Sequence, residues 1–218
     1  MKIAVLGTGP VGRTLGTAFA AAGHEVAMGS RDATNESAAA WAEATGGSAR
    51  ADNFAGAAAW AELVVNATPG TVSLLALEAA GRENLAGKVL LDVSNPLDFS
   101  AGFPPSLSVL NTDSVAESIQ RAFPEARVVK SLNTVAAPVM VAPQALAGGE
   151  HDVFLAGNDD VAKAAVRALL SQLGWADGHI RDLGALESAR GMEMYLPLWL
   201  RLMGATKSAM FNIRVVTG

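Results

Sequence analysis

The chain contains no cysteine, which excludes disulfides, thiol catalysis and thiolate metal sites. Aromatic residues are scarce, at 6% of the 218 residues, and Tyr195 is the only tyrosine. Charged residues make up 17% and sum to a net charge of −5 without a basic cluster, so we expect no nucleic-acid partner. Since 50% of the residues are hydrophobic, the composition is that of a globular protein with one sizeable core.

Long hydrophobic runs are also missing. The most apolar stretch, "MYLPLWLRLMGA", is interrupted by Pro197 and Arg201, and no run approaches the roughly 18 apolar residues that a membrane span requires. The opening "MKIAVLGTG" is too short for a signal peptide and is typical of a buried strand. We therefore expect a cytoplasmic protein that does not engage a membrane.

Residues with obvious acid–base or metal chemistry are few and dispersed. The three histidines, His24, His151 and His179, have no carboxylates at metal-ligand spacing, so no metal site is expected. His24 precedes a predicted strand and is interpreted as a surface residue. There is no nucleophile elbow, and no tyrosine has a lysine four positions later. We predict no catalytic acid, base or nucleophile.

Short apolar runs alternate with helical segments, which predicts a doubly wound α/β fold with a parallel sheet. Several runs, such as "IAVL" and "VLL", are uninterrupted, as expected for strands covered on both faces. The predicted strands are Lys2–Leu6, Glu25–Met28, Leu63–Ala67, Lys88–Val93, Arg127–Leu132 and Asp152–Ala156, with a weaker one near Ser48–Ala51.

Two helices have recognisable starts. Ser114 and Glu117 form a capping-box pattern, and "GNDD" supplies a cap and first-turn acids for a helix that runs to Leu173. We interpret these acids as structural rather than catalytic. This second helix is expected to have a common apolar face formed by Val161, Ala165, Leu169 and Leu173.

Residues 94–111 contain three prolines and no regular pattern, which is typical of a functional lid. Phe99 and Phe103 in this loop could stack on a flat ring, or could form a small satellite core, which is the more common role of such pairs.

The pattern changes after residue 182. We predict a first domain over residues 1–182 and an apolar helical segment over residues 183–218, in which Pro197 starts or interrupts a helix. A stripe of methionines and aromatics there is typical of core packing or of a subunit interface, and a homodimer is expected.

A glycine pattern follows the first strand. "VLGTGPVG" contains G-x-G-x-x-G at Gly7, Gly9 and Gly12, opens an alanine-rich helix and leads to a second strand. This context is the fingerprint of a Rossmann dinucleotide-binding domain. Gly7 permits the turn, Gly9 lets the backbone approach a pyrophosphate, and Gly12 lets helix and strand pack closely, while the helix start attracts phosphate.

The stretch "GSRD" at the end of the second strand predicts which dinucleotide binds. An acid here would bind the ribose 2′-hydroxyl of NAD, whereas Ser30 and Arg31 suit a 2′-phosphate. Asp32 could serve as the NAD-type acid if the strand were longer, but it can equally cap the next segment. We predict NADP(H).

The order and spacing of several motifs resemble one family. "VLGTGPVG", "GSRD", "VVNATPG", "DVSNPL", "VVKSLNTVAA", "FLAGNDD" and "ARGMEMYLPLWLRLMG" together resemble the NADPH:coenzyme F420 oxidoreductases over nearly the whole chain. These proteins are also similar to the cytosolic part of the STEAP metalloreductases.

The resemblance implies NADP(H) as cofactor and direct hydride transfer to a stacked deazaflavin or flavin, for which the protein supplies positioning and water exclusion. Asn133 and Thr134 would position the nicotinamide end. The cofactor-binding residues implied are Gly7, Thr8, Gly9, Pro10, Val11, Gly12, Ser30, Arg31, Thr68, Pro69, Asn95, Pro96, Asn133, Thr134, Ala136 and Ala137.

The hydride partner is less clearly indicated. The archaeal members typically carry a His-Thr-Ile-Pro-Ala motif where this chain has "NTVAA", a version closer to the metalloreductase branch. F420 is the leading expectation. An NADPH-dependent flavin or ferric reductase and a non-catalytic NADP-binding redox sensor are the alternatives.

Overall fold

An eight-stranded sheet forms the centre of the computed structural model, which describes residues 1–47 and 49–218. Six neighbouring strands run parallel in the order β3-β2-β1-β4-β5-β8, and β9 and β10 extend the sheet beyond β8. The strands in chain order are β1 Lys2–Leu6, β2 Glu25–Ser30, β3 Ala49–Asn53, β4 Leu63–Asn66, β5 Val89–Asp92, β6 Leu97–Asp98, β7 Ser106–Leu107, β8 Arg127–Ser131, β9 Val153–Gly157 and β10 Ile180–Asp182.

Helices cover both faces of the sheet, as the predicted doubly wound α/β fold requires. Along β1, Ile3 and Val5 face one layer of core, whereas Ala4 and Leu6 face the other. The helices are α1 Pro10–Ala21, α2 Glu36–Thr45, α3 Phe54–Trp60, α4 Ser73–Ala80, α5 Arg82–Leu85, α6 Val115–Ala122, α7 Ala137–Val141, α8 Asp160–Gln172, α9 Ala189–Met194 and α10 Leu196–Thr206.

The sheet is not parallel throughout, and this corrects the prediction. β9 pairs antiparallel with β8 through Val129 and Gly157, and β10 then pairs parallel with β9. Between β8 and β9 the chain forms α7 and two short 3-10 turns, and it returns beside β8 in the opposite direction. The weak strand predicted near Ser48–Ala51 is observed from Ala49, and Ser48 lies outside the described residues.

Both predicted helix starts are confirmed. Ser114 Oγ accepts the Glu117 amide at 3.1 Å, and Asp159 caps α8 by accepting the Ala162 amide at 2.8 Å. The apolar face predicted for α8 is wrong at its first position, since Val161 is 70% exposed while Ala162 is buried.

His24 is not the surface residue that its position indicates. The residue is 6% exposed, its Nε2 lies 2.6 Å from Gln172 Oε1, and its ring and that of Phe19 pack edge to face. The imidazole therefore ties the turn before β2 to the end of α8. Among the described residues, no group of histidines and carboxylates has the arrangement of a metal site.

The apolar C-terminal segment begins just after β10 and forms α9 and α10, with Pro197 in the first turn of α10. The extended chain that follows returns to β9, where the Asp152 amide donates to Ile213 O at 2.9 Å and the Val215 amide donates to Asp152 Oδ2 at 2.7 Å. Burial opposes the charge on Asp152, but hydrogen bonds from His179 and Val215 outweigh it and lower the pKa of this carboxyl. None of the helices among the described residues combines the length and the apolar character needed to traverse a bilayer.

Candidate functional site

The carboxyl ends of β1 and β4 form the topological switch point of the sheet. β1 lies between β2 and β4, and the chain turns to one side after β1 and to the other after β4. The loops that follow these two strands therefore diverge and leave a crevice, which is where open α/β sheets bind ligands. Two cavities occupy this crevice and share Gly7, Thr8, Thr68 and Pro69.

The glycine loop has the geometry that the sequence predicts. Gly7 has φ of +120°, and a side chain there would meet the Ala67 carbonyl oxygen at 2.6 Å. A Cβ on Gly12 would overlap the carbonyl oxygen of Gly7, so this glycine sets how closely α1 packs on the turn. A Cβ on Gly9, in contrast, would have no atom within 4 Å, so its backbone faces open space. Only Gly9 keeps the approach to the backbone clear for a ligand.

The start of α1 is suited to an anion. Pro10 occupies the first turn, no side chain caps the helix, and the first turn contains no acidic residue. The first-turn amides therefore have no anionic side chain competing for them, and the helix dipole places partial positive charge at the same point. The turn itself is fixed by the Gly7 amide, which donates to Gly29 O at 2.9 Å.

The smaller cavity, of about 560 Å³, lies beside the end of β2. Ser30 is the last residue of β2 and is buried, and Arg31 follows it with an exposed side chain. Both residues line this cavity, so the structure brings them to the place where the "GSRD" interpretation requires them.

Asp32 does not line either cavity. Its Oδ1 accepts the Thr34 amide at 2.9 Å and the Thr34 hydroxyl at 2.8 Å. The backbone hydrogen bond, and then the hydroxyl, lower the pKa of Asp32 and stabilise the carboxylate in this turn. Asp32 thus stabilises the turn that follows β2, which was the alternative to binding a ribose hydroxyl of NAD.

Sequence reasoning missed the remaining lining of the smaller cavity. Val72 and Leu75, at the start of α4, are 43% and 67% exposed and supply an apolar wall. Such exposed apolar residues beside a polar turn suit the face of a purine base. The sequence did contain a signal for them. The run "TVSLLALEAA" is apolar on nearly all sides, whereas a helix that buries one face needs apolar residues on that face alone.

The larger cavity, of about 890 Å³, extends from the glycine loop to the segment after β5. The short β6–β7 hairpin forms one side of it through Leu97, Asp98 and Phe99. Its lining includes Gly7, Thr8, Gly9, Pro10, Val11, Thr68, Pro69, Ser94 and Asn95.

The side chain of Thr68 is held away from any ligand. Its hydroxyl donates to Asn66 Oδ1 at 2.6 Å and lies 3.0 Å from Ser73 Oγ. Asn66 in turn donates to Asp92 Oδ1 at 2.8 Å. This buried network fixes the turn after β4, so Thr68 is left to meet a ligand through its backbone.

Several predicted residues line neither cavity. Gly12 has a packing role, and the Pro96 carbonyl accepts the Ser108 amide at 2.8 Å across the base of the hairpin. Ala136 and Ala137 begin α7, which packs on α1. The others in this group are Asn133 and Thr134.

Asn133 and Asn95 bind each other. Asn133 Nδ2 donates to Asn95 Oδ1 at 2.9 Å, and Asn95 Nδ2 donates to Asn133 O at 2.8 Å. Asn133 Oδ1, Thr134 Oγ1 and Ser94 Oγ are buried without a hydrogen-bond partner. Buried polar atoms usually have partners, so these three, which follow β5 and β8, are candidates for meeting a bound ligand.

The comparisons with known proteins agree with this geometry. The family model "NADP oxidoreductase coenzyme F420-dependent" matches residues 2–96. The F420-dependent NADP reductase of Methanothermobacter thermautotrophicus is 32% identical over 212 residues, which span 93% of this chain and 89% of that protein. The chain belongs to the family of F420-dependent NADP reductases.

Two further relatives place this reductase within its family. The crystal structure of a candidate F420-dependent NADP reductase from Arthrobacter sp. FB24 is 53% identical, covers 100% of both chains and superposes with a TM-score of 0.94. Metalloreductase STEAP3 of Rattus norvegicus is 31% identical over 121 residues, which span 54% of this chain but 22% of STEAP3. The resemblance inferred from the motifs is confirmed, and the likeness to STEAP3 is restricted to part of each chain.

Proposed function

We propose that this chain is an NADP(H)-dependent oxidoreductase that transfers hydride between the nicotinamide and the deazaflavin coenzyme F420. The observation that carries the proposal is the divided cleft at the β1–β4 switch point. Its smaller part includes Arg31, and its larger part leads to an exposed aromatic hairpin. Family membership supports both coenzymes.

The chain's own groups suit NADP(H) along the length of the cleft. The backbone at Gly7–Val11 and the start of α1 would hold the pyrophosphate. Arg31 would bind the 2′-phosphate, because a guanidinium forms charge-assisted hydrogen bonds with phosphate oxygens. Val72 and Leu75 would cover the adenine.

The nicotinamide end would lie in the larger cavity. Ser94 and Asn95 both line it, and the Ser94 hydroxyl oxygen is buried without a hydrogen-bond partner. Asn133, Thr134, Ala136 and Ala137 line neither cavity, so they would support this end indirectly, Asn133 through its hydrogen bonds with Asn95 and the two alanines through the start of α7. A carboxamide both donates and accepts hydrogen bonds, so it matches such a mixed set of groups.

The residues around the larger cavity favour positioning over proton transfer. Bound NADPH would supply the hydride, and the chain would orient it and exclude water. Among the described residues that line this cavity, Asp98 is the only carboxylate, and histidine and lysine are absent. The Ser100 amide hydrogen-bonds Asp98 and lowers its pKa, so this carboxyl is ionised at neutral pH and is a poor proton donor.

Phe99 is the residue best placed to meet the acceptor ring. Phe99 and Phe103 are 57% and 70% exposed, so they do not form the satellite core that such pairs usually make. Phe99 lines the larger cavity, where its ring could stack on a flat tricyclic acceptor.

The substitution Phe99→Ala is therefore expected to raise the KM for F420 about three- to tenfold, the value of one aromatic contact. The Kd for NADPH should stay within about twofold, because Phe99 is not among the groups that would hold the pyrophosphate or the 2′-phosphate. Phe103→Ala is the matched control, since Phe103 is exposed on the same hairpin but lines neither cavity. An unchanged KM in Phe99→Ala would exclude stacking on this ring.

The acceptor is tested by mixing the purified protein with NADPH and either F420 or FMN in the absence of oxygen, while the acceptor absorbance is followed. Fast bleaching of F420 with FMN inert is the expected result. Reduction of FMN with F420 inert would support the flavin or ferric reductase alternative, which the partial likeness to STEAP3 favours. Tight binding of NADPH without turnover of any acceptor would support a redox sensor.

We also propose a homodimer in the cytoplasm, with α10 at its interface. In α10 only Leu196 is buried, and Leu198 is 55% exposed. Trp199 Nε1 and Tyr195 Oη are buried atoms without a partner in the chain. Leu198→Glu should convert the dimer to a monomer in sedimentation experiments, because a charge is costly in an apolar interface. A wild-type monomer, or a variant that remains dimeric, would contradict this arrangement.

A further inference from the structure

A fully buried lysine lies behind the cleft. Lys130, near the end of β8, has a side chain that is 0% exposed. Its Nζ donates to Asp92 Oδ2 at 2.7 Å and to Ser94 O at 2.6 Å, and lies 2.7 Å from Glu193 Oε1. The three protons of the ammonium thus have three acceptors, two from the end of β5 and the loop that follows it and one from α9.

The two carboxylates of this ion triad, Asp92 and Glu193, accept further hydrogen bonds besides those from Lys130. Glu193 comes from α9, and its Oε2 accepts the Val115 amide at 2.9 Å while Oε1 accepts the Ala116 amide at 3.3 Å, both at the start of α6. Burial raises the pKa of Glu193, while Lys130 beside it acts in the opposite direction. On the other side, Asp92 Oδ1 accepts Asn66 Nδ2 at 2.8 Å.

Such a triad is not explained by stability alone. Well-packed apolar residues of similar volume are often as stabilising as a buried ion triad, because desolvation of the charges offsets much of their attraction. The triad instead fixes geometry, since each charged group holds a defined partner at a defined position. The role of Lys130 therefore follows from the parts of the molecule that it holds in place.

Lys130 holds the loop that lines the larger cavity. Ser94 is fixed at both backbone groups, because its carbonyl accepts from Lys130 and its amide donates to Asp92 Oδ1 at 3.2 Å. Ser94 and Asn95 both line the cavity. Removing the ammonium would free this wall of the cleft.

The same lysine holds the C-terminal helix against that wall. Glu193 anchors α9 to Lys130, and the carbonyl of the preceding Met192 accepts Asn133 Nδ2 at 3.1 Å. Asn133 is bonded to Asn95, so α9 and the cavity loop are joined on two routes. The C-terminal segment is thus built into the support of the cleft.

We infer that Lys130 is a positioning residue for hydride transfer, which uses Asp92 and Glu193 to hold the Ser94–Asn95 loop and α9 in one arrangement at the nicotinamide end. The inference rests on the proposed function for its reaction, but its structural readout does not need an acceptor. Lys130 does not line the cleft itself. It acts through Ser94 and Asn95.

Two variants test the inference without leaving an unbalanced buried charge. Glu193→Ala retains the Asp92–Lys130 pair, and the triple variant Asp92→Asn/Lys130→Met/Glu193→Gln carries no charge at this place. In each, the single-turnover rate of hydride transfer should fall at least about tenfold, because small misplacements of reacting groups are costly. The Kd for NADPH should stay within about threefold, because the phosphate-binding groups lie in the segments that follow β1 and β2.

Asp152→Asn is the matched control, because Asp152 is a buried ion-paired carboxylate at the β9–β10 edge that lines neither cavity. It should lower thermal stability without changing the rate at saturating NADPH. A spectroscopic readout separates this inference from the proposed function. The fluorescence of bound NADPH should move toward that of the free cofactor in the two test variants, but not in the control, even if F420 proves not to be the acceptor.

Wild-type rates and wild-type NADPH emission in both folded variants would overturn the inference. Equal losses of affinity and rate, or failure of both variants to fold, would also overturn it, since either result assigns the triad a structural role only. If the triple variant alone fails to fold, the rate and the NADPH emission of Glu193→Ala decide whether the inference holds. Absence of F420 reduction by the wild-type protein would instead count against the proposed function.

Discussion

Arg31→Ala is expected to weaken NADPH binding by about 10- to 150-fold, or about 1.5–3 kcal/mol, while NADH binding stays nearly unchanged. Arg31 lines the smaller cavity with an exposed guanidinium, and Asp32 is committed to Thr34. The 2′-phosphate, which NADH lacks, would therefore depend on this side chain for charge. Titration of the intrinsic fluorescence with each cofactor measures both affinities.

The control for this prediction is Arg50→Ala. Arg50 is an exposed arginine on β3 that pairs with Asp52 and lines neither cavity. Arg50→Ala removes the same charge as Arg31→Ala but from a residue outside the cleft, and should leave both affinities within about twofold, apart from a small long-range term. Equal losses of NADPH and NADH affinity in Arg31→Ala would refute our interpretation of "GSRD".

Gly9→Val should abolish the binding of both cofactors while leaving the fold intact. Gly9 has φ of −72° and ψ of 178°, which valine adopts without strain, and a Cβ there meets no atom within 4 Å. The added side chain would fill the space through which the pyrophosphate approaches the backbone. NADPH should raise the Tm of the wild-type protein and give no shift in the variant, because only a bound ligand stabilises the folded state.

Gly12→Ala supplies the contrast. Its Cβ would overlap the Gly7 carbonyl oxygen, so this variant should lose thermal stability even without cofactor. If Gly9→Val instead unfolds, or retains an NADPH-dependent shift in Tm, the roles assigned to the two glycines are wrong.

The glycine loop could be predicted from sequence because its function depends on local backbone geometry. Gly7, Gly9 and Gly12 lie within six consecutive residues, from the turn after β1 to the start of α1, and each spacing has a direct structural consequence. The parallel strands were predictable for a similar reason, since uninterrupted apolar runs are required wherever both faces of a sheet are covered.

Features that depend on tertiary partners were harder to predict. The apolar face of α8 was predicted by counting every fourth residue from Val161. The face that α8 buries contains Ala162, Val166 and Leu169, so the count began one residue too early. The reversal at β9 has no local signal, because the connection over residues 132–152 is long enough for a parallel crossover as well. His24 is buried because Gln172, far along the chain, lies beside it.

The ion triad of Asp92, Lys130 and Glu193 was the feature least predictable from the sequence. Lys130 is 38 residues from Asp92 in sequence and further from Glu193 in the opposite direction, so no local spacing connects the three. The one available signal was the lysine inside the apolar strand "RVVKS", at a position where the sheet is covered on both faces. A charge there requires a partner, but the sequence does not identify which of 21 acidic residues supplies it.

Direct transfer of hydride between nicotinamide and deazaflavin within one cleft is the central claim. It is tested most directly with NADPH deuterated separately at each of the two faces of the nicotinamide C4, with F420 as acceptor and without oxygen. The reduced F420 is then examined by mass spectrometry. We predict that deuterium from one face is retained in the product, because no acid–base residue intervenes. Loss of the label from both faces to solvent, or failure to reduce F420, would contradict it.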